Sequence, residues 1–341
     1  MATDKQPTVS VLIPTLNSAR VLKNCLESIR NQDYPKNKVE IIIADGGSTD
    51  QTLQIAKKYG AKIYINLLKT GEAGKAVGIK QASGDLIAFI DSDNILPVKN
   101  WFKKMVEPLE DEEIIGSEPI EYTYRKNDPW LTRYFALVGM NDPLCLFIGN
   151  YDRMSILTGK WTNFKFPLED KGNYLKIKFD REPLPTIGAN GTLLRKEIFD
   201  DLGVVDYLFD IDILVDILKK RSQIYFAKVK IGIVHTYIEG DIRKFFRKQL
   251  RRINDMSFHR AKKARSVDWE KLFFWRIVYF QIQCCLIFPI FYQMIKGMIR
   301  KPDLCWLFHP VACYSTWLIY LYGWIKGKFV PKESSREGWK Q

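Results

Sequence analysis

The stretch DLIAFIDSDN, residues 85–94, constrains the fold of this chain more than any other. Leu86, Ile87, Ala88, Phe89 and Ile90 form a continuous apolar run too short for a typical helix. Such a run suits a strand buried on both faces in the middle of a parallel sheet. At its carboxyl end the polarity flips at once to Asp91-Ser92-Asp93-Asn94. Open α/β sheets bind ligands outside the carboxyl ends of their strands. Two carboxylates one residue apart at such a place can share one hard cation, which in turn can neutralise a diphosphate. Asp and Asn also favour ordinary turns, so the pair takes its meaning from the rest of the chain.

Residues 9–13 (VSVLI) read as a first buried strand stopped by Pro14, with Ser18 capping a helix through Ile29. Residues 39–44 (VEIIIA) read as a second strand ending at Asp45-Gly46-Gly47-Ser48-Thr49-Asp50, where Ser48 or Asp50 can cap the next helix. Residues 61–65 make a third short strand, and 71–82 a glycine-containing loop and helix. This β-α-β-α-β-α-β order predicts an α/β fold built on a parallel sheet with crossover helices. Between 128 and 185 the pattern loosens and no element can be assigned. Residues 224–234 alternate enough for one or two strands ending at His235.

The chain of 341 residues carries a net charge of +13, unevenly spread: residues 243–265 hold ten Lys or Arg against the single acid Asp255. No nucleic-acid motif accompanies that charge, so an anionic membrane surface is the expected partner and nucleic acid is not. The six cysteines show no Cys-x-x-Cys spacing and read as small hydrophobes in a reducing compartment. The start, MATDKQPTVSVLIP, lacks the pattern of a signal peptide, which predicts a cytosolic first domain.

Phe246, Leu250, Ile253 and Met256 recur at helical spacing among basic residues, predicting an interfacial amphipathic helix within residues 241–271. Two hydrophobic stretches follow, 277–295 and 304–325, before a basic tail from 327. Each approaches the roughly 20 residues that a membrane helix needs. Lys and Arg cluster before the first and after the second, so a spanning hairpin would leave both termini in the cytosol. Lys296, Arg300 and Lys301 crowd the connecting loop and leave a re-entrant hairpin open.

Three strand ends carry groups for chemistry: Pro14-Thr15-Leu16-Asn17, Asp45-Gly46-Gly47 and Asp91-Ser92-Asp93. In a parallel sheet they converge. Asp45 can accept from a base or a ribose, and Asp93 can hold Mg²⁺ or Mn²⁺ against phosphate oxygens. Neither a G-x-G-x-x-G nor a Gly-Lys-Ser/Thr loop is present, so dinucleotide and P-loop chemistry are excluded.

Read together, these motifs resemble family 2 glycosyltransferases with a GT-A, Rossmann-like nucleotide-sugar-binding fold, over about residues 8–255. VSVLIPTLNSARVLKNCLESIRNQDYP resembles the family's first strand and helix, and EIIIADGGSTDQT its nucleotide-contacting second strand. GEAGKAVGIKQASGDLIAFIDSDN resembles the approach to its metal-binding Asp-x-Asp, and IGANGTLLRKEIF its acceptor-side loop. Phe209-Asp210-Ile211-Asp212 stands where the family has Glu-Asp, and Gln249-Leu250-Arg251-Arg252-Ile253 where it has Gln-x-x-Arg-Trp.

The resemblance implies Asp210 as catalytic base, and Pro14, Thr15, Asn17, Asp45, Gly46, Lys75, Asp91 and Ser92 at the nucleotide sugar. It implies Asp91 and Asp93 at the metal, with His235 a candidate third ligand. On the acceptor side it implies Gly188, Asn190, Asp212, Gln249 and Arg252. The expected reaction is inverting, metal-dependent transfer from a nucleotide diphosphate sugar to a lipid-linked or polysaccharide acceptor at the cytosolic membrane face. A sugar nucleotidyltransferase is the rival among enzymes; a non-catalytic membrane scaffold, favoured by Phe209 in place of an acid, is the rival outside them.

Overall fold

The computed structural model describes residues 6–203, 206–262 and 265–329. The basic tail beyond 329 lies outside the described residues. Ten strands form one sheet: β1 (Val9–Thr15), β2 (Val39–Asp45), β3 (Lys62–Ile65), β4 (Leu86–Phe89), β5 (Asn94–Ile95), β6 (Ile114–Tyr122), β7 (Leu168–Asp170), β8 (Tyr174–Phe179), β9 (Thr192–Arg195) and β10 (Ile224–His235). Their order is β3-β2-β1-β4-β9-β6-β10-β8-β7, with β5 paired to β10.

The amino-terminal half is parallel, as its alternation with helices predicts. The second half corrects the all-parallel expectation. β9 runs antiparallel between β4 and β6, and β8 antiparallel to β10. Residues 224–235 form one twelve-residue strand.

Both faces of the central strands are covered, which is why they read as unbroken apolar runs. Val9, Val11 and Ile13 pack with Leu22, Cys25 and Leu26 of the helix Ala19–Arg30 on one side. Leu12, Ile42 and Phe89 pack with Ala76 and Ile79 of the helix Gly71–Gln81 on the other. That second helix approaches β1 closely because Gly78 has no side chain; a Cβ there would stand 3.0 Å from Leu12 Cδ1. Ser18 makes no side-chain cap. Instead Asp50 accepts from the backbone N–H of Ala19 (3.1 Å) and of Thr52 (2.9 Å), so one carboxylate serves the starts of two helices.

The carboxyl-terminal part departs most from expectation. The basic helix Ile242–Ala261 does not expose all of its apolar stripe: Ile253 is buried against Gly323 of the last helix, Phe308–Phe329. Residues 277–295 do not form one straight helix. The helix Phe274–Leu286 ends at Ile287, whose φ is +61°, and a second helix, Phe288–Arg300, leaves at 88°. Pro289 in the first turn of the second helix supplies the reason, since it has no N–H to continue the first. Residues 304–327 form a stretch long and apolar enough to cross a bilayer, yet 44% of its most apolar window is buried inside the protein.

Candidate active site

The carboxyl ends of β1 and β4 open into a cleft of about 690 Å³, closed on its far side by residues 140–153, the 186–190 loop, the 207–211 turn and the basic helix. Thr15, Lys75, Asp91, Ser92, Asp93, Gly188, Asn190, Asp210, His235 and Arg252 all line it, as does Pro14. Residues drawn from the length of the chain thus meet in one place.

At its centre the Lys75 ammonium donates to Asp210 Oδ2 at 2.7 Å. Lys75 comes from the buried side of the helix Gly71–Gln81, and Asp210 opens the 3₁₀ turn Asp210–Asp212. Burial by itself would lower the Lys75 pKa, but the facing carboxylates of Asp210 and Asp91 outweigh it and hold the ammonium above its ordinary value. Phe209 does not disturb this pairing. Its ring packs against Tyr207 (4.9 Å) and His259 (5.0 Å), with the Arg265 guanidinium 4.6 Å above it.

Asp91 and Asp93 follow β4 as the sequence predicts. His235 reaches them because β5 pairs with the end of β10, setting His235 opposite Asn94. His235 Nε2 then lies 3.3 Å from Asp93 Oδ2. Burial would raise the Asp93 carboxyl, but the imidazole and Lys248 hold it well below the usual carboxylate range. Asp91 moves the other way: burial, with Asp93 beside it, raises it against the pull of Lys75. Two carboxylates and an imidazole form a donor set suited to Mg²⁺ or Mn²⁺. Among the described residues no group of three acidic, His or Cys side chains encloses an ion by itself. A cation here would draw its remaining ligands from substrate phosphates and water, the usual arrangement for Mg²⁺.

Asn17, Asp45 and Gly46 stand behind the wall of the cleft. Asp45 is buried and accepts from Thr15 Oγ1 (2.8 Å), Ser48 Oγ (2.5 Å) and the N–H groups of Gly47 and Ser48 (2.9 and 2.7 Å). It holds the turn that shapes the donor side. Asn17 likewise accepts from Thr49 N–H at 2.8 Å.

On the expected acceptor side the residues divide. Asn190 faces the cleft, its amide accepting from Asn94 (3.0 Å) and donating to Tyr122 (3.3 Å). Asp212 does not: its buried carboxylate takes two bonds from Arg265 (2.8 and 2.7 Å) and one from Trp269 (3.2 Å). Gln249 is also buried, joining Thr316 of the last helix (2.8 Å) to Arg252 (2.6 Å). It aims Arg252, which further donates to the Asn141 carbonyl (2.8 Å) and faces the cleft.

The sequence of residues 10–203 matches the profile described as Glycosyl transferase family 2. The chain belongs to this family. A glycosyltransferase of Haloferax volcanii, AglE, is 32% identical over 146 residues, 40% of this chain and 47% of that protein. The dolichyl N-acetyl-alpha-D-glucosaminyl phosphate 3-beta-D-2,3-diacetamido-2,3-dideoxy-beta-D-glucuronosyltransferase of Methanococcus voltae is 38% identical over 106 residues, 29% and 33% of the two chains. The poly(ribitol-phosphate) beta-N-acetylglucosaminyltransferase TarS of Staphylococcus aureus is 40% identical over 93 residues, 26% and 16%. The chain therefore spans less than half the length of these curated relatives.

In fold, the glycosyltransferase is similar to the mannosyltransferase PcManGT from Pyrobaculum calidifontis, solved in complex with GDP-Man and Mn²⁺. The TM-score is 0.55 at 14% identity, covering 96% of this chain and 88% of that one. The GT-A assignment stands.

Two cleft residues of this glycosyltransferase had no motif to announce them. Lys248 projects from the basic helix over the Tyr237 ring (4.1 Å), and burial pulls its pKa down to about 8. Its only sequence signal was membership of a basic run. Asp152, pushed up to about 7 chiefly by burial, is the one cleft-facing carboxylate of a buried cluster with Arg153, Glu118 and Lys228. The stretch around it showed no usable periodicity.

Proposed function

We propose that this glycosyltransferase moves a sugar, with inversion, from a nucleotide diphosphate sugar to a lipid-linked or polysaccharide acceptor at the cytosolic face of the cell membrane. The observation that carries the reading is the Lys75–Asp210 pair, in one cleft with Asp91, Asp93 and His235. Acceptors named for the relatives, a dolichyl-linked sugar phosphate and a poly(ribitol-phosphate), support the acceptor class. The likeness to a mannosyltransferase solved with GDP-Man and Mn²⁺ supports the donor and the cation.

In this reading Asp210 accepts the proton of the acceptor hydroxyl, whose oxygen attacks the anomeric carbon. The bond from that carbon to the diphosphate oxygen breaks in the same displacement, which inverts the centre and requires no glycosyl-enzyme. Lys75 fixes the direction of the Asp210 carboxylate, and Lys248 and Arg252 place positive charge on the opposite wall. Mg²⁺ or Mn²⁺ held by Asp91, Asp93 and His235 would neutralise charge on the departing diphosphate. Phe209 sits in an aromatic box and leaves the Lys75–Asp210 pair intact, which weighs against the scaffold alternative.

A panel of nucleotide sugars incubated with native lipid extract, followed by mass spectrometry and NMR of the product anomer, tests the reading. Transfer should require added Mg²⁺ or Mn²⁺ and vanish in Asp93→Ala, while the variant still unfolds in one cooperative transition, its midpoint lowered by the lost His235 and Lys248 contacts. Full activity of that variant in metal-free buffer refutes the metal assignment. A retained anomeric configuration refutes the single displacement. Diphosphate release from a sugar phosphate and a nucleoside triphosphate would instead identify a nucleotidyltransferase.

A further inference from the structure

The three apolar helices after residue 273 each keep a continuous hydrophobic stripe outside the protein. On the helix Phe274–Leu286 it is Trp275, Tyr279, Ile282 and Leu286, between 49% and 78% exposed. On Phe288–Arg300 it is Phe288, Tyr292, Ile295 and Ile299, up to 76% exposed. On the last helix it is Val311, Leu318, Tyr322 and Ile325. The opposite faces are buried, through Phe280 and Cys284, Ile290 and Gly297, and Ala312 and Cys313. The spacing is three or four residues on the first two helices and seven, four and three on the last, so each stripe stays on one side of its helix. Single exposed apolar residues are ordinary, but a surface made of three such stripes marks an interaction site.

We infer that this surface lies flat in one leaflet of an anionic phospholipid membrane, as a monotopic platform, and that none of the three helices crosses it. This rests on the membrane placement proposed above and gives it a geometry.

Length and charge decide between lying and crossing. Each arm of the bent pair has 13 residues, about 20 Å of helix, against a hydrocarbon core of about 30 Å. The last helix is long enough, but it runs beside the basic helix Ile242–Ala261 for most of its length. Phe245 meets Phe308, Gln249 hydrogen-bonds Thr316, Ile253 packs on Gly323 and Ser257 on Gly327. Between those contacts the basic helix turns Lys248, Arg251 and Arg252 into the cleft. A crossing last helix would carry this polar wall of the cleft to membrane depth with it, which a water-facing active site opposes.

Lying flat carries no such cost. Lys271, Lys296 and Lys326 are then available at the level of the headgroups, while Arg276 and Arg300 tie the platform to the Ile148, Ile156 and Leu157 carbonyls. Against them the segment 269–327 has only two acids, Glu270 and Asp303, and Asp303 is neutralised by Arg133 at 2.9 Å. The platform also adjoins the active site. Phe273, just before the helix that carries Trp275, and Ile277 on that helix line the cleft, so an acceptor with an apolar tail can enter sideways from the leaflet.

The test uses the full chain, without substrate, and vesicles of phosphatidylglycerol or phosphatidylcholine. The protein should float with phosphatidylglycerol vesicles at least tenfold more than with phosphatidylcholine. The double variant Trp275→Asp, Phe288→Asp should lose flotation yet bind a nucleoside diphosphate with Mn²⁺ as the parent does, which shows that it folds. In a Cys285→Ser background, cysteines placed singly at 275, 288 and 322 and tagged with an environment-sensitive dye should be quenched by brominated lipids at one common shallow depth.

Probes at different depths, with one near the bilayer centre, would overturn the flat geometry in favour of a crossing. Equal flotation with both lipids would overturn the headgroup contact. A protein that self-associates through this face and ignores vesicles would overturn the platform while leaving the transferase reading intact. A chain that floats as expected but transfers no sugar would do the reverse.

Discussion

Lys75 and Asp210 are 135 positions apart in sequence, and their contact ties the helix Gly71–Gln81 to the proposed base. A double-mutant cycle with Lys75→Met and Asp210→Asn tests it directly. At 2.7 Å, with an effective dielectric constant of about 20, the gross attraction is about 6 kcal/mol. Desolvation of the buried Lys75 consumes much of this, so the quantity to measure is the coupling. Breaking a buried pair by removing one partner costs about 3–5 kcal/mol. The Asp210 side chain is 17% exposed and that of Lys75 only 7%, so stranding the ammonium should cost more than stranding the carboxylate. We expect about 3 kcal/mol for Lys75→Met, somewhat more for Asp210→Asn, and a double variant no worse than either, a coupling of about 3 kcal/mol. Urea unfolding of the four proteins measures this, and single-turnover transfer on the same samples provides a second readout. Both variants lacking Asp210 should lose transfer by about 10²–10⁴-fold, whereas Lys75→Met keeps a measurable fraction. If the two losses of stability add to within about 0.5 kcal/mol, the side chains do not meet and the pairing is refuted.

Asp212→Ala should destabilise the chain by about 3 kcal/mol, because it strands Arg265, while leaving the acceptor KM unchanged; a raised KM at unchanged stability would restore Asp212 to the acceptor. Asp152 binds its proton more tightly folded, at about 7, than unfolded, at 3.8. Its contribution is therefore full below pH 3.8 and is lost as pH rises toward 7, so Asp152→Asn should flatten the decline of stability across that window, as followed by urea midpoints. A Cβ at Gly297 would collide with the Trp306 ring, so Gly297→Ala should cost about 1–3 kcal/mol; an unchanged unfolding midpoint would mean that the second arm is not seated there.

Much of the catalytic half was legible from residue order. The buried strands 9–13, 39–44 and 86–90 announce themselves because both faces of a central parallel strand are apolar, and the polar breaks that follow mark where ligands bind. Asp91 and Asp93 are local to one strand end, so no folding was needed to pair them. The break at Ile287 also had a local sign in Pro289, which the apolar length of 277–295 outweighed in the reading. Other features had no local sign at all. His235 reaches Asp93 only because β5 pairs with β10 in antiparallel register, and Lys75 reaches Asp210 only because the helix Gly71–Gln81 and the turn Asp210–Asp212 pack beside each other on one face of the sheet. Asp212, Gln249 and Arg252 look alike as polar residues near a motif, yet burial against Arg265 and Thr316 turns two into struts and leaves one in the cleft. The tail shows the same division most plainly. Composition determines that its helices are apolar and their flanks basic. Only the tertiary structure decides that the last helix lies along the basic helix, through Gln249 on Thr316 and Ile253 on Gly323, because those pairs are neighbours in space and not in sequence.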